Sequence, residues 1–128
     1  ATCLSDVGDR SAALAAIRGT AAIRRELAER DPATHAPALA PCLHRLTKRL
    51  AEAGHRGEAL ETAREAVAAY RSLARRRPED FGQGLAGALG TYASVLEWAG
   101  READAARIRQ ESEAMTEEKA LEDSIRGF

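Results

Sequence analysis

The sequence predicts an all-α fold of αα-hairpins that repeat every 46 residues, with about five helices. Three observations predict it: apolar residues follow helical spacing, glycine and proline separate the helical stretches, and the chain matches itself after a shift of 46 residues. From residue 4 to residue 54, 18 of 51 ungapped pairs are identical. Shared alanine-rich composition does not align glycine, proline and leucine in one register. We predict helices near residues 10–30, 37–53, 56–76, 83–99 and 102–124.

The amino-acid composition suits closely packed helices. The chain has 128 residues, which is enough for one domain with a modest core. Alanine accounts for 29 of them, whereas aromatic residues reach only 4%. Because alanine combines the highest helix propensity with little bulk, such helices approach one another closely. Arginine supplies 17 of the 19 basic residues, which indicates a GC-rich, bacterial genome.

The first predicted helix, residues 10–30, belongs to an incomplete unit. In the 46-residue register, Leu4 falls on Leu50 and Gly8 falls on Gly54. The chain therefore starts near the end of a helix whose earlier turns are missing, and position 1 is not Met. We expect residues 1–32 to be a partial repeat in a piece of a longer protein.

The second unit, residues 33–78, contains both helices of a hairpin. An apolar stripe at helical spacing precedes Gly54, which is typical of a helix end, and a second stripe follows it. The two stripes comprise Leu39, Leu43, Leu46, Leu50 and Ala53, then Ala59, Leu60, Ala63, Ala66, Val67, Tyr70, Leu73 and Ala74.

The joint between two units lies at Pro78, which cannot continue the preceding helix. The arginines at 75–77 suit a helix C-terminus, and Asp80 is the expected N-cap of the next helix. Phe81 and, in the earlier copy, His35 are expected to pack across the joint.

The third unit, residues 79–124, repeats the pattern with Gly100 at its turn. Its second helix becomes acidic toward the C-terminus, through Glu111, Glu113, Glu117, Glu118, Glu122 and Asp123. We predict a terminal capping helix with a solvated outer face.

Two segments, "LTKRLAEAGHRGEALETAREAV" (46–67) and "YASVLEWAGREADAARI" (92–108), carry a family resemblance. Their spacing of large apolar residues, a turn glycine and small alanines resembles the tetratricopeptide repeat. The period of 46 exceeds the usual length of about 34, so the chain resembles the long-helix variant of kinesin-light-chain-type and bacterial repeats. The resemblance implies a right-handed superhelical solenoid with a concave groove.

The same resemblance implies a partner-binding groove lined by the first helix of each unit. Its matching positions are His44, Lys48, Glu52, Ser94, Glu97 and Trp98. Gly87 and Gly90 precede Ser94 in the same predicted helix. Because glycine has no side chain, they allow a ligand or a neighbouring helix to approach closely. Trp98 has two interpretations: an aromatic anchor for a partner, or packing under an adjacent inter-helix turn.

The sequence gives no reason to expect catalysis, a cofactor or a metal. Cys3 and Cys42 form no CxxC pair, and the three histidines lack the spacing of helical metal ligands. Cys42 and His44 point about 200° apart on a helix, so they cannot pair as nucleophile and base. A net charge of -1 and acidic residues beside the arginines at 75–77 argue against nucleic acid. No apolar run reaches the ~18 residues of a membrane span, and no signal peptide is recognisable, so we expect a cytoplasmic protein.

The function most consistent with these features is a non-catalytic scaffold that binds a peptide or partner domain in its groove. The partner is a separate protein, or another domain of the same polypeptide. Two alternatives stay open: a regulatory arm of a multidomain signalling ATPase or protease, and a self-association module that forms homo-oligomers. We expect no nucleic-acid or membrane partner.

Overall fold

The computed structural model describes residues 2–127, with side chains from residue 10 onward. Within that range the chain is all-α, as predicted, and contains no strand. Its five helices are α1 (Thr2–Arg30), α2 (Pro32–Glu52), α3 (Arg56–Arg76), α4 (Pro78–Trp98) and α5 (Glu102–Arg126). The start and end of α4 lie 46 residues after those of α2, and α5 starts 46 residues after α3.

The turns at Gly54 and Gly100 have the same backbone conformation. Their φ angles are +84° and +81°, in the left-handed region where glycine avoids the steric cost of a Cβ. The N–H of His55 donates to the Leu50 carbonyl at 2.9 Å, and the N–H of Arg101 donates to the Leu96 carbonyl at 2.8 Å. Each of these hydrogen bonds spans six residues, as in the Schellman motif at a helix C-terminus. Glycine therefore ends both helices as expected.

The joints at Pro32 and Pro78 also share one conformation, but the helices start earlier than predicted. Asp31 has φ −144° and ψ 82°, and Arg77 has φ −138° and ψ 75°. Each extended residue precedes a proline that forms the first position of a helix, where its missing N–H costs no hydrogen bond. The predicted starts at 37 and 83 are therefore wrong. Asp80 is likewise not the N-cap, because it lies inside the first turn of α4.

Helix α1 also differs from its prediction. The backbone is helical from Thr2, whereas the register of Gly8 with Gly54 predicts a helix end there. The backbone therefore continues along the α1 axis before residue 10 and does not form the expected bend. The side chains of residues 1–9, including Cys3 and Leu4, lie outside the described part of the chain.

The apolar stripes of α2 and α3 form the core. Leu43, Leu46 and Leu50 are at most 2% exposed and pack in one cluster with Ala59 and Ala66. A second cluster joins Tyr70 and Leu73 to Leu85 and Leu89, and Phe81 packs against it across the joint as expected. The core therefore continues from the α2–α3 hairpin to α4.

Side-chain ion pairs connect alternate helices on the outside of this core. Arg18 and Arg25 of α1 pair with Glu58 and Glu65 of α3 at 2.6 and 2.7 Å. Both pairs span the same sequence distance of 40 residues, so α1 and α3 run parallel. Arg71 of α3 pairs with Glu111 of α5 at 2.7 Å, again 40 residues apart. Arg71 and Glu111 are the 46-residue equivalents of Arg25 and Glu65.

The C-terminal half of α5 has an exposed surface. From residue 113 to residue 127 every side chain except the half-buried Met115 is exposed, including Leu121 at 63% and Ile125 at 65%. This half of α5 is therefore solvated on nearly every side, and its role as a terminal cap stays a prediction.

Candidate functional site

The predicted groove residues lie on α2 and α4, which are neighbours in space. The His44 ring of α2 makes a hydrogen bond from Nε2 to the Thr91 hydroxyl of α4 at 2.8 Å. A Cβ placed on Gly87 would lie 3.5 Å from Cε1 of the same ring, in ordinary contact. The structure therefore brings α2 and α4 together at His44, and Gly87 lies beside this contact, where an alanine would also fit.

His44 is half-buried between three helices. Tyr70 of α3 meets its ring edge-on, with centroids 6.4 Å apart and an interplanar angle of 89°. Burial lowers the pKa of His44, and the positive charge of Lys48 one turn later lowers it further. The imidazole is accordingly neutral at pH 7, and a neutral ring can make the hydrogen bond to the Thr91 hydroxyl.

Lys48 and Ser94 occupy equivalent exposed positions on α2 and α4. The Ser94 hydroxyl donates to the Gly90 carbonyl of its own helix at 3.2 Å. Residues 44, 48 and 52 share one face of α2, because side chains four apart are neighbours on a helix. Lys48 therefore places an ammonium on this face, and the exposed Arg45, three residues earlier, adds a second cation beside it.

The two carboxylates of the predicted groove are each held by an arginine. Glu52 pairs with Arg49 of its own helix at 3.4 Å. Glu97 pairs with Arg109 of α5, which places this carboxylate at the α4–α5 contact. Local arginines therefore offset the negative charge that the sequence assigns to the groove.

Trp98 lies at the end of α4 beside the start of α3. The guanidinium carbon of Arg56 lies 4.8 Å from the centre of the Trp98 ring, within cation–π range. The side chain remains 37% exposed. Trp98 therefore packs beside the α2–α3 turn and still offers surface to solvent, so features of both interpretations are present.

Sequence reasoning missed three residues that shape this region: Thr91, Arg56 and Gly84. A Cβ placed on Gly84 would lie 2.4 Å from Cε1 of Tyr70, so glycine is required for the tyrosine ring to reach α4. The available signal was the presence of glycine inside a predicted helix. Glycine destabilises a helix by about 1 kcal/mol relative to alanine, so its presence indicates a close packing contact. The Arg56 and Thr91 contacts depend on tertiary geometry and leave no sequence signal.

Of the residues considered for metal binding or catalysis, Cys42 and the three histidines lie in the part of the chain whose side chains are described. Cys42 is a half-buried free thiol that packs against the α2–α3 core. Among the residues that the structure describes, no three histidine, cysteine or acidic side chains converge as a metal site would require. In the same range, no helix combines the length and apolarity that crossing a membrane requires.

A cleft of about 770 Å³ lies between the N-terminal half of α4 and the C-terminal half of α5. Its lining includes Gly82 and Met115, together with acidic residues of both helices: Glu79, Glu118, Glu122 and Asp123. Arg126 and Glu79 bridge one end at 3.4 Å. The residues that line this cleft include none of the predicted groove residues.

Comparisons with known proteins give no match: no family model, curated protein or solved structure is similar to this chain. The resemblance to the tetratricopeptide repeat therefore rests on the residues quoted from the sequence.

Proposed function

We propose that this chain is a non-catalytic, tetratricopeptide-like scaffold that binds a peptide segment on the adjoining faces of α2 and α4. The single observation that supports the proposal is the His44–Thr91 contact, because it joins α2 to α4 beside a predicted lining residue. In the proposed architecture, α2 and α4 form an inner layer of a right-handed superhelix, and α1, α3 and α5 form the outer layer.

The charges on this surface favour an acidic ligand. Burial keeps His44 neutral, and Arg49 and Arg109 offset the carboxylates of Glu52 and Glu97. Lys48 and Arg45 are both exposed beside these groups, so the surface carries a net positive charge. A peptide with an aspartate or glutamate opposite Lys48 and an apolar side chain against Trp98 complements the surface.

A displayed peptide library tests this function. Peptides selected on the wild-type chain should be acidic, and their affinity should fall about tenfold in Lys48→Glu, because a cation becomes an anion opposite the ligand carboxylate. Trp98→Ala and Glu52→Lys should also change binding. Trp98 is the only tryptophan, so its fluorescence reports occupancy directly.

Lys119→Glu is the matched control, since Lys119 is an exposed lysine of α5, outside the proposed groove. It should leave peptide affinity unchanged. Selected peptides that bind equally well to the wild type and to all three groove variants would place the binding site elsewhere.

A further inference from the structure

His44 is a titratable group that lies beside cations. Its half-buried ring makes the 2.8 Å hydrogen bond to Thr91 of α4 and meets Tyr70 of α3 edge-on. Lys48 follows one turn later on α2, and the exposed Arg45 is the next residue. Burial raises the pKa of Tyr70, so its phenol is neutral at pH 7. Among the described residues, the groups that contact the His44 ring or shift its pKa include no carboxylate.

The hydrogen bond between His44 and Thr91 can persist when the ring gains a proton. A hydroxyl is both a donor and an acceptor, and its hydrogen rotates to suit the partner. The Thr91 hydroxyl can therefore donate to an unprotonated Nε2 and accept from a protonated one. Protonation needs no change in the α2–α4 contact, so the cost of charging His44 comes from burial and from Lys48, which both lower its pKa.

We propose that binding of an acidic peptide in the α2–α4 groove is coupled to protonation of His44, so that the complex tightens as the pH falls. Lys48 and His44 are neighbours on one face of α2, because they lie four residues apart. A ligand carboxylate opposite Lys48 therefore supplies a counter-ion for the ring, and an opposite charge within about 4–6 Å favours the charged form of a titratable group. This inference rests on the proposed function and adds its regulation by pH.

The direction of the effect follows from the two states of the chain. Without peptide, the pKa of His44 lies below its ordinary value, and a ligand carboxylate raises this pKa in the complex. Affinity is therefore unaffected by His44 above the pKa of the complex and increases as the pH falls, until the free chain is protonated as well. We expect an increase of about three- to tenfold between pH 7.5 and 5.5.

A peptide selected on the wild-type chain provides the probe. It is synthesised with blocked ends and without histidine, so that its aspartates and glutamates, with a pKa of about 4, remain largely ionised at pH 5.5. Isothermal titration calorimetry with the intact chain at pH 7.5 and 5.5 should show the increase in affinity. Titrations at pH 6 in buffers of different ionisation enthalpy should show proton uptake on binding.

Two histidine variants locate the titrating group. His44→Gln should lose both the proton uptake and the rise in affinity relative to its own value at pH 7.5, because glutamine takes up no proton. His35→Gln is the matched control, since His35 lies beside Arg24 and Leu27 of α1, outside the proposed groove. It should retain both effects. A peptide with asparagine and glutamine in place of its acidic residues should bind more weakly, and acidification should not tighten it.

Two results would overturn this inference and leave the acidic-peptide groove standing. One is equal affinity at both pH values with no proton uptake, and the other is the same proton uptake in His44→Gln as in the wild type. If no peptide binds at either pH, the proposed function fails and this inference fails with it. Circular dichroism at pH 5.5 confirms that the chain and its variants are folded under the conditions of the titration.

Discussion

At the scale of single residues, packing depends on what is absent as well as on what is present. Gly84 has no Cβ, and the Tyr70 ring occupies the place that a Cβ would take. Tyr70 is in turn 7% exposed and borders the half-buried His44 ring. One missing methyl group therefore determines how closely α3 and α4 approach beside the candidate groove.

We expect Gly84→Ala to destabilise the fold by about 1–2 kcal/mol, since the overpacking cost of ~1–3 kcal/mol exceeds the helix-propensity gain of ~1 kcal/mol. Urea unfolding measures the change. Gly90→Ala is the control, because its Cβ would have no neighbouring atom within 4 Å. It should stabilise the protein by up to ~1 kcal/mol. Equal stability gains from both substitutions would contradict the proposed Tyr70–Gly84 packing.

His44 should make stability depend on pH. Because burial lowers its folded-state pKa, the unfolded chain binds a proton more readily than the folded chain. The free energy of unfolding is therefore unaffected by His44 above the unfolded pKa of ~6.5, and falls as the pH decreases from there toward the folded pKa.

Urea unfolding between pH 7.5 and 5 measures this dependence. His44→Gln should show a shallower loss of stability on acidification, because glutamine does not take up the proton. An identical slope in wild type and His44→Gln would show that the acid sensitivity arises elsewhere.

At the scale of helices, charged bridges set the alignment of alternate helices. Both Arg71 and Glu111 are 41% exposed, and one Arg71 nitrogen contacts both carboxylate oxygens. Arg25 and Glu65 make the equivalent bridge, which raises the pKa of Arg25 chiefly through the hydrogen bonds with Glu65. The bridges hold α1, α3 and α5 in one register.

A double-mutant cycle of Arg71→Met and Glu111→Gln should give a coupling energy of about 0.5–1 kcal/mol, the upper part of the range for exposed pairs. High salt should reduce it. The Arg49–Glu52 pair within α2 is the comparison, with an expected coupling of ~0.3 kcal/mol. A coupling near zero for Arg71 and Glu111 would mean that apolar packing alone aligns these helices.

At the scale of the whole molecule, local signals in the sequence predict the helices and their turns but not the contacts between hairpins. Glycine at 54 and 100 marks turns through backbone geometry, which needs no partner. The pairing of Arg25 with Glu65 requires α1 and α3 to be parallel, and the cation–π contact of Trp98 requires α4 to end beside α3. The periodicity of the sequence indicates neither arrangement. The exposed groove residues could therefore be proposed from the sequence, but the residues that contact them could not.

The order of the helices in space has a consequence for how the chain is made. In residues 2–127, backbone contacts join each helix to its successor and, in addition, α2 to α4. During synthesis, therefore, at most two further helices must be made before a given helix can form all of these backbone contacts. Because short sequence separations favour rapid folding, we expect assembly to follow synthesis from the first hairpin onward.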